Sequence, residues 1–240
     1  MVQNRLISLI MNICILIAMP VFASSINTGV TNEQIEQRDI KTIQDFEDIE
    51  KTLEEAIKLG DNSKLFVLGS LYMEDFDFKK SDKIKAKNYL EKALNEKYGL
   101  SAIPLSYIYI EKNDLDAAFI VLDKGIGVSE KDLNTQVILA VLFNGLILDF
   151  KSDDLRYVHK ALDLTYPISQ KTNKSALDFT IANLLNLAGN YEEANKYLNT
   201  ACNNPEIDDE LKNSCNKSIG ITNNIKKSHE CNTCGVVKWR

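Results

Sequence analysis

Cysteine is the residue type in this sequence with the clearest chemistry, and four of the five cysteines lie close together. They are Cys202, Cys215, Cys231 and Cys234. In an oxidising compartment, an even and clustered set is typical of disulfide bonds, and four cysteines allow three pairings. Cys231 and Cys234 also form a Cys-x-x-Cys motif, and His229 beside them would suit a zinc site. A redox dithiol normally opens a helix in a βαβ unit, which the sequence does not predict. The pattern favours disulfides, with zinc binding, redox chemistry and free thiols as the alternatives.

Outside the cysteines, the sequence offers few residues for catalysis. It contains two histidines, and His159 lies in a predicted helix, where we expect it to face solvent. Acidic residues occur mostly in charged runs such as 47–51, which are typical of a solvated helix face. The spacings of a Ser-His-Asp site or a phosphate-binding loop do not occur. We therefore predict that the protein is not an enzyme and has no cofactor.

Residues 1–23 have the features of a cleaved export signal. Arg5 precedes an apolar stretch, Leu6–Phe22, and Ala23 is a small residue suited to the cleavage position. An uncleaved membrane anchor is the alternative, although polar residues and a proline make the stretch marginal for a span. We expect cleavage after Ala23, a periplasmic or secreted protein, and no stable membrane span in the mature chain. Residues 24–41 are predicted to be a flexible lead-in.

Charge and composition narrow the partners and the source. The formal net charge is −6 at pH 7, and the lysines are scattered. A protein that binds nucleic acid usually carries a basic stripe, so we expect no nucleic acid partner. The abundance of Lys, Asn and Ile is compatible with an AT-rich bacterial genome, which makes the periplasm the expected destination.

Residues 42–204 alternate between helical patterns and turns, which predicts antiparallel helix pairs. In the pair from Lys64 to Gly99, each helix has an apolar stripe, with small residues where the backbones approach. First helices share an apolar residue, a small residue, and a ring or apolar residue: Leu68, Gly69 and Tyr72; Leu105, Ser106 and Tyr109; Leu139, Ala140 and Phe143; Ile181, Ala182 and Leu185. Second helices share a small–apolar–small set: Ala86, Leu90 and Ala93; Ala118, Leu122 and Gly125; Ala194, Leu198 and Ala201. A recurring pair that cannot bury its apolar surface alone predicts a repeat array.

At these residues the chain resembles the tetratricopeptide repeat family, and the pair from Lys64 resembles its Sel-one-like branch. The residues that carry the second resemblance are Leu68-Gly69, Leu71-Tyr72 and Lys85-Ala86. The resemblance implies an all-α fold, a right-handed solenoid of antiparallel helix pairs. We expect four hairpins after a leading helix, a capping helix over 205–227, and a cysteine-containing tail over 228–240. An irregular helical bundle is the alternative.

The resemblance also implies a disulfide pairing. Cysteine-rich secreted members of the Sel-one-like branch cross-link adjacent antiparallel helices. Cys202 is predicted to end the last repeat helix, and Cys215 to lie on the following helix. We therefore expect these two to pair, and Cys231 to pair with Cys234. In the chain-entropy model, closing such a loop stabilises the fold by about 3 kcal/mol.

The first helices of such an array line a concave groove that usually binds a peptide or another protein. The positions three before, one after and four after each small residue are predicted to face this groove. They are Phe66, Ser70, Met73, Ile103, Tyr107, Ile110, Val137, Val141, Asn144, Phe179, Asn183 and Asn186. We predict an exported scaffold that binds a protein or peptide partner in the bacterial envelope. The alternatives are a cysteine-rich envelope factor with peptidoglycan- or penicillin-related activity, and a redox or zinc protein acting through its tail.

Overall fold

The computed structural model describes residues 40–151, 153–205, 207 and 209–234, with side chains described as far as residue 224. The predicted export signal lies outside the described residues, as does nearly all of the predicted lead-in. The side chains of Cys231 and Cys234 also lie outside the described part.

The described part of the chain is helical, apart from turns and one isolated bridge between Phe76 and Lys79. A short 3-10 turn, Gly99–Ser101, precedes the fourth α-helix. The α-helices are α1 (Ile43–Lys58), α2 (Ser63–Leu71), α3 (Lys83–Asn95), α4 (Ala102–Glu111), α5 (Leu115–Val128), α6 (Leu133–Phe150), α7 (Leu155–Ser169), α8 (Ser175–Leu187), α9 (Tyr191–Cys202) and α10 (Asp209–Cys234). The predicted all-α class is confirmed for these residues.

Two compact units divide the helices, and the boundary falls after Ser129. In the N-terminal unit, α1 to α5, each helix packs against the next along the chain, and α3 also contacts α5. In the C-terminal unit, α6 to α10, consecutive helices pack in the same way, and α8 also contacts both α6 and α10. This order of contacts agrees with the predicted alternation of helices and turns.

The recurring residues of the helix pairs form the core of both units. The apolar residue of each first helix is fully buried, at Leu68, Leu105, Leu139 and Ile181. The second helices bury Ala86, Leu90, Ala93, Ala118, Leu122, Ala194, Leu198 and Ala201 just as completely. Gly69 allows a close approach of α2 and α3, since a Cβ there would lie 2.7 Å from Leu90 Cγ and 3.2 Å from the Leu90 amide nitrogen. Small residues therefore stand where neighbouring helices touch.

Polar side chains begin most of these helices, as the turn residues in the sequence indicate. Thr42 forms a capping box with Asp45 at the start of α1. The starts of α3, α5, α6, α7 and α9 are capped by side chains that accept a hydrogen bond from a backbone N–H of the first turn. These capping residues are Asp82, Asp114, Asp132, Asp154 and Asn190. After α1, Gly60 adopts a positive φ of 97°, which confirms its predicted place in the C-terminal cap.

Two helices continue through residues that often end helices, glycine and proline. Gly125 and Gly127 both lie inside α5, which continues to Val128. Gly125 is buried where Gly99 approaches it, and a Cβ on Gly99 would lie 2.8 Å from the Gly125 carbonyl oxygen. Pro167 lies inside α7, which continues to Ser169. Proline removes one helical hydrogen bond, and burial of the two residues after it holds the last turn.

The last helix is longer than the sequence indicates. We expected a capping helix over 205–227 and a separate tail from residue 228. In the structure α10 extends from Asp209 to Cys234, so the predicted boundary between cap and tail falls inside a helix.

Candidate functional site

The predicted groove residues divide into a buried group and a partly exposed group. Phe66, Ile103, Ile110, Val137 and Asn144 are buried, with exposed fractions of 8% or less. An open surface at these positions was predicted and is not what the structure shows. The first helices are apolar on nearly every side, and a helix of that kind is packed all round. Positions at a fixed offset from the small residue are therefore buried in some helices and partly exposed in others.

The other groove residues remain partly accessible to solvent. They are Ser70, Met73 and Tyr107 in the N-terminal unit, and Val141, Phe179, Asn183 and Asn186 in the C-terminal unit. Phe179 also packs against the core cluster around Leu198 and Cys202, so much of its ring serves the interior. Contact of these residues with a partner stays a prediction.

Tyr107 stands in a small polar cluster with Lys83 and Glu111, which we call the Tyr107 cluster. The Tyr107 hydroxyl donates a hydrogen bond to Glu111 Oε1 at 2.8 Å. Lys83 Nζ lies 2.5 Å from Glu111 Oε2 and 5.8 Å from the centre of the Tyr107 ring. Burial, together with the hydrogen bond to Glu111, raises the pKa of Tyr107 to about 12. At neutral pH the Tyr107 hydroxyl is therefore protonated, and Glu111 links it to the Lys83 side chain.

The helices position this cluster through simple local rules. Tyr107 and Glu111 are one turn apart on α4, a spacing that brings side chains together on a helix surface. Lys83 is the first residue of α3, whose start is capped by Asp82. The contact between α3 and α4 then places Lys83 beside the end of α4. The sequence pattern singled out Tyr107 alone, because its two partners carry no signal of their own.

Tyr109 forms a second and similar cluster on α4. Lys87 Nζ lies 4.9 Å from the centre of the Tyr109 ring and 3.6 Å from a Glu91 carboxylate oxygen. The Tyr109 hydroxyl donates to Glu91 at 3.3 Å. The hydrogen bond with Tyr109 raises the pKa of Lys87. Two partly exposed tyrosines of α4 are therefore each held by a lysine and a glutamate.

A buried counterpart joins α1, α2 and α3 around Tyr72. Its ring is 1% exposed, and its hydroxyl donates to the Glu50 carboxylate. Lys85 Nζ donates to the same hydroxyl at 3.1 Å, and the Tyr89 ring stacks on Tyr72 with centroids 5.9 Å apart. Desolvation, reinforced by Glu50, raises the pKa of Tyr72 far above its usual value. This cluster packs helices together, and its central ring is not accessible to a partner.

Two of the predicted groove asparagines bind neighbouring helices. Asn144 Nδ2 on α6 donates to Thr180 Oγ1 on α8 at 3.1 Å. Asn186 Nδ2 on α8 donates to Thr222 Oγ1 on α10 at 2.8 Å. These two asparagines, which were predicted to face the groove, thus contribute to helix packing in the C-terminal unit.

Cys202 and Cys215 lie at disulfide distance, with their sulfur atoms 2.01 Å apart. The bond joins the end of α9 to α10, as the family resemblance implied. Both residues belong to a buried cluster with Ala182, Leu198 and Ala201. The expected pairing of Cys231 with Cys234 involves side chains outside the described part.

Among the residues whose side chains are described, no group of three or more His, Cys, Asp or Glu side chains is arranged to hold a metal ion. The alternative zinc site around His229 involves side chains outside that part, so it stays untested.

One described helix, α6, is long and apolar enough to cross a membrane by length and composition alone. In the structure 56% of it is buried, and it packs against α7 and α8. Core helices meet the same criterion when they are apolar on all sides. The expectation that the mature chain has no stable membrane span stays a prediction.

Comparison of the sequence with protein-family models gave no match, and comparison with curated proteins gave none. The resemblance to tetratricopeptide repeats therefore rests on the residues named above.

Proposed function

We propose that this protein is an exported helical-repeat scaffold that binds a protein or peptide partner in the bacterial envelope. In this proposal the helix pairs form a right-handed solenoid of the tetratricopeptide type. Burial of the equivalent residues in successive helix pairs supports the repeat, and so do the contacts between consecutive helices within each unit. The export-signal pattern and the disulfide between Cys202 and Cys215 support an oxidising compartment.

The observation that carries the proposed binding role is the Tyr107 cluster. A partly exposed tyrosine is well suited to recognition, because its ring offers apolar contact and its hydroxyl a hydrogen bond at a low entropic cost. Glu111 and Lys83 hold the ring in place and add one charge of each sign. The matching partner is an extended peptide segment with an apolar side chain and backbone amides to satisfy these groups.

The proposal assigns no catalytic residue to the protein. Incubating the mature chain with a labelled β-lactam and a muropeptide mixture tests this part. We expect no hydrolysis above buffer. Hydrolytic activity that co-purifies with the protein would contradict the scaffold proposal and would indicate an envelope enzyme.

A displayed random-peptide library tests binding directly. Peptides enriched on the immobilised mature chain are measured against the wild type and against Tyr107→Ala. We expect Tyr107→Ala to weaken binding at least tenfold, the usual effect of losing an aromatic anchor. Tyr166→Ala is the matched control. Burial raises the pKa of both tyrosines to about 12, but Tyr166 lies on α7, the second helix of its pair, which does not line the predicted groove.

Melting curves accompany these measurements, since a variant that unfolds would lose binding for a trivial reason. An absence of enriched peptides, or an equal loss of binding in both variants, would overturn the proposed site.

A further inference from the structure

The C-terminal unit contains the same interhelical hydrogen bond twice. Asn144 donates to Thr180 and Asn186 donates to Thr222, and in both pairs the residues are 36 positions apart. Each asparagine stands four residues after the small residue of its own first helix, Ala140 or Ala182. Thr222 on α10 is thus equivalent to Thr180 on α8: each accepts a hydrogen bond from an asparagine on the preceding helix of the stack, α8 or α6 respectively.

We propose that α10 docks as the first helix of a further, incomplete repeat, and that the two Asn–Thr pairs fix the register in which α6, α8 and α10 stack. The contacts of α8 with both α6 and α10 agree with such a stack. This inference rests on the repeat architecture proposed above, and it does not depend on partner binding.

The hydroxyl groups fix the direction of both hydrogen bonds. Thr180 Oγ1 donates its own hydrogen to the Leu177 carbonyl at 2.9 Å, and Thr222 Oγ1 donates to the Ser218 carbonyl at 2.9 Å. A hydroxyl carries a single hydrogen, so each threonine accepts from its neighbour on the preceding first helix. Each asparagine must therefore donate through its amide nitrogen, Asn144 to α8 and Asn186 to α10.

Burial makes these bonds selective for one register. Asn144 and Thr222 are fully buried, and among the described residues Oδ1 of Asn144 and Oδ1 of Asn186 are buried without a hydrogen-bond partner. In each of these amides, Nδ2 therefore has a hydrogen-bond partner, the threonine hydroxyl, whereas Oδ1 has none. A slip along the stack would leave the whole amide without a hydrogen-bond partner, at the cost of its desolvation. A buried asparagine fixes the register of coiled coils for the same reason.

α10 depends on such bonds more than the other helices do. Its described contribution to the core is small, mainly Cys215 with the partly buried Ile219. A second amide, Asn195 Nδ2 on α9, donates to Asn223 Oδ1 on α10 at 3.1 Å. Where apolar burial is limited, polar contacts of fixed geometry decide how a helix is seated.

The disulfide reports on this register. The Cα atoms of Cys202 and Cys215 are 5.7 Å apart, within the range that a disulfide can bridge. A slip of α10 by one helical turn would move Cys215 by about 5.4 Å along the helix axis. Correct pairing of these two cysteines therefore requires α10 to be in its native register.

The test refolds the full mature chain in a glutathione redox buffer and maps the disulfides without reduction. The first variant is Thr222→Val, which keeps the shape of the side chain and removes the acceptor. The control is Thr200→Val, an exposed position on α9 whose hydroxyl donates a hydrogen bond to the Lys196 carbonyl of its own helix, at 3.1 Å. Amide hydrogen exchange of α10 is measured on the same samples.

We expect Thr222→Val to lower the yield of the Cys202–Cys215 pair several-fold and to speed exchange in α10 at least tenfold. Thr200→Val should match the wild type. Unchanged pairing and unchanged exchange in Thr222→Val would overturn the proposal.

A second variant covers the case in which Thr222→Val fails to fold. Asn186→Leu combined with Thr222→Val removes both polar partners, which is nearly neutral for stability. We expect this double variant to fold with native helix content but to give mixed disulfide pairings. Native pairing alone in the double variant would show that the hydrogen bond does not set the register. Binding of selected peptides should be unchanged in Thr222→Val, because Thr222 is not one of the predicted groove residues, so failure of the register proposal and failure of the scaffold proposal remain distinguishable.

Discussion

The two units of this protein join their helices by different chemistry. In the N-terminal unit, tyrosines held between lysines and glutamates connect α1, α2, α3 and α4. In the C-terminal unit, neutral amides bond to threonine hydroxyls, and a disulfide ties the last two helices. Two of these clusters, around Tyr107 and Tyr109, remain partly exposed, so the first chemistry leaves polar surface accessible to solvent. Buried amides have few ways to be satisfied, so the second chemistry favours a single arrangement of helices.

The largest expected effect is the loss of the disulfide in the C-terminal unit. Replacing both Cys202 and Cys215 by serine should lower the free energy of unfolding by about 3 kcal/mol, because the unfolded chain is no longer constrained. Urea denaturation measures the change, and hydrogen exchange locates it. We expect faster exchange in α9 and α10 and little change in α1 to α5. An equal acceleration in both units would contradict the contrast between them.

The next effect concerns a buried acid in the C-terminal unit. Asp178 is 5% exposed, and burial raises its pKa from 3.8 to about 6. The folded state therefore holds this proton more tightly than the unfolded state. The stabilisation is complete below pH 3.8 and is lost as the pH rises through about 6. Asp178→Asn should match the wild type near pH 4 and be more stable near pH 8, by about 3 kcal/mol at most.

Urea denaturation from pH 4 to pH 8 measures this divergence. Asp163→Asn, at an exposed position on α7, is the control and should follow the wild-type curve. Parallel curves for Asp178→Asn and the wild type would mean that the carboxyl reaches water or a partner in solution.

A smaller effect separates buried from accessible tyrosines in the N-terminal unit. Tyr72→Phe removes a hydroxyl that bonds both Glu50 and Lys85, and we expect a loss of about 1 kcal/mol. Tyr109→Phe removes the hydrogen bonds to Glu91 and Lys87 at a more accessible site and should have less effect. Equal losses in the two variants, measured by urea denaturation, would indicate that burial does not distinguish the clusters.

The smallest effect belongs to the ion pair of the Tyr107 cluster. Lys83→Met keeps much of the apolar length of the side chain and removes its charge. A partly exposed ion pair contributes roughly 0–1 kcal/mol, so thermal stability should hardly change. Affinity for selected peptides should fall, with the difference shrinking at high salt. If stability drops sharply instead, the cluster serves folding rather than recognition.

The helices and the core positions were predictable because they depend on local periodicity. Leu68, Leu105, Leu139 and Ile181 are fully buried, where the spacing indicated. The turn residues that the pattern indicated, such as Asp114 and Asn190, do cap the following helices. An apolar stripe and a capping residue act within one or two turns, so each can be recognised without knowledge of the rest of the fold.

Which side chains reach the surface was decided by tertiary packing. Phe66 and Ile103 fit a groove by spacing, yet they are buried, because helices that are apolar all round have neighbours on several sides. Glycine and proline often end helices, but α5 and α7 continue past Gly125 and Pro167, because residues beyond them are buried. Local propensity is worth about 1–3 kcal/mol at such residues, which packing of a neighbouring turn can outweigh.

The sequence by itself determined the helical class, many of the buried core positions and the cysteines available for pairing, since these follow from residue type and short-range spacing. Only the tertiary structure decided that Lys83 would meet Tyr107 and that Asn186 would meet Thr222. The partners in these contacts lie on different helices and carry no periodic signal. Their meeting depends on how one helix is seated against the next, and that seating is a property of the packed core.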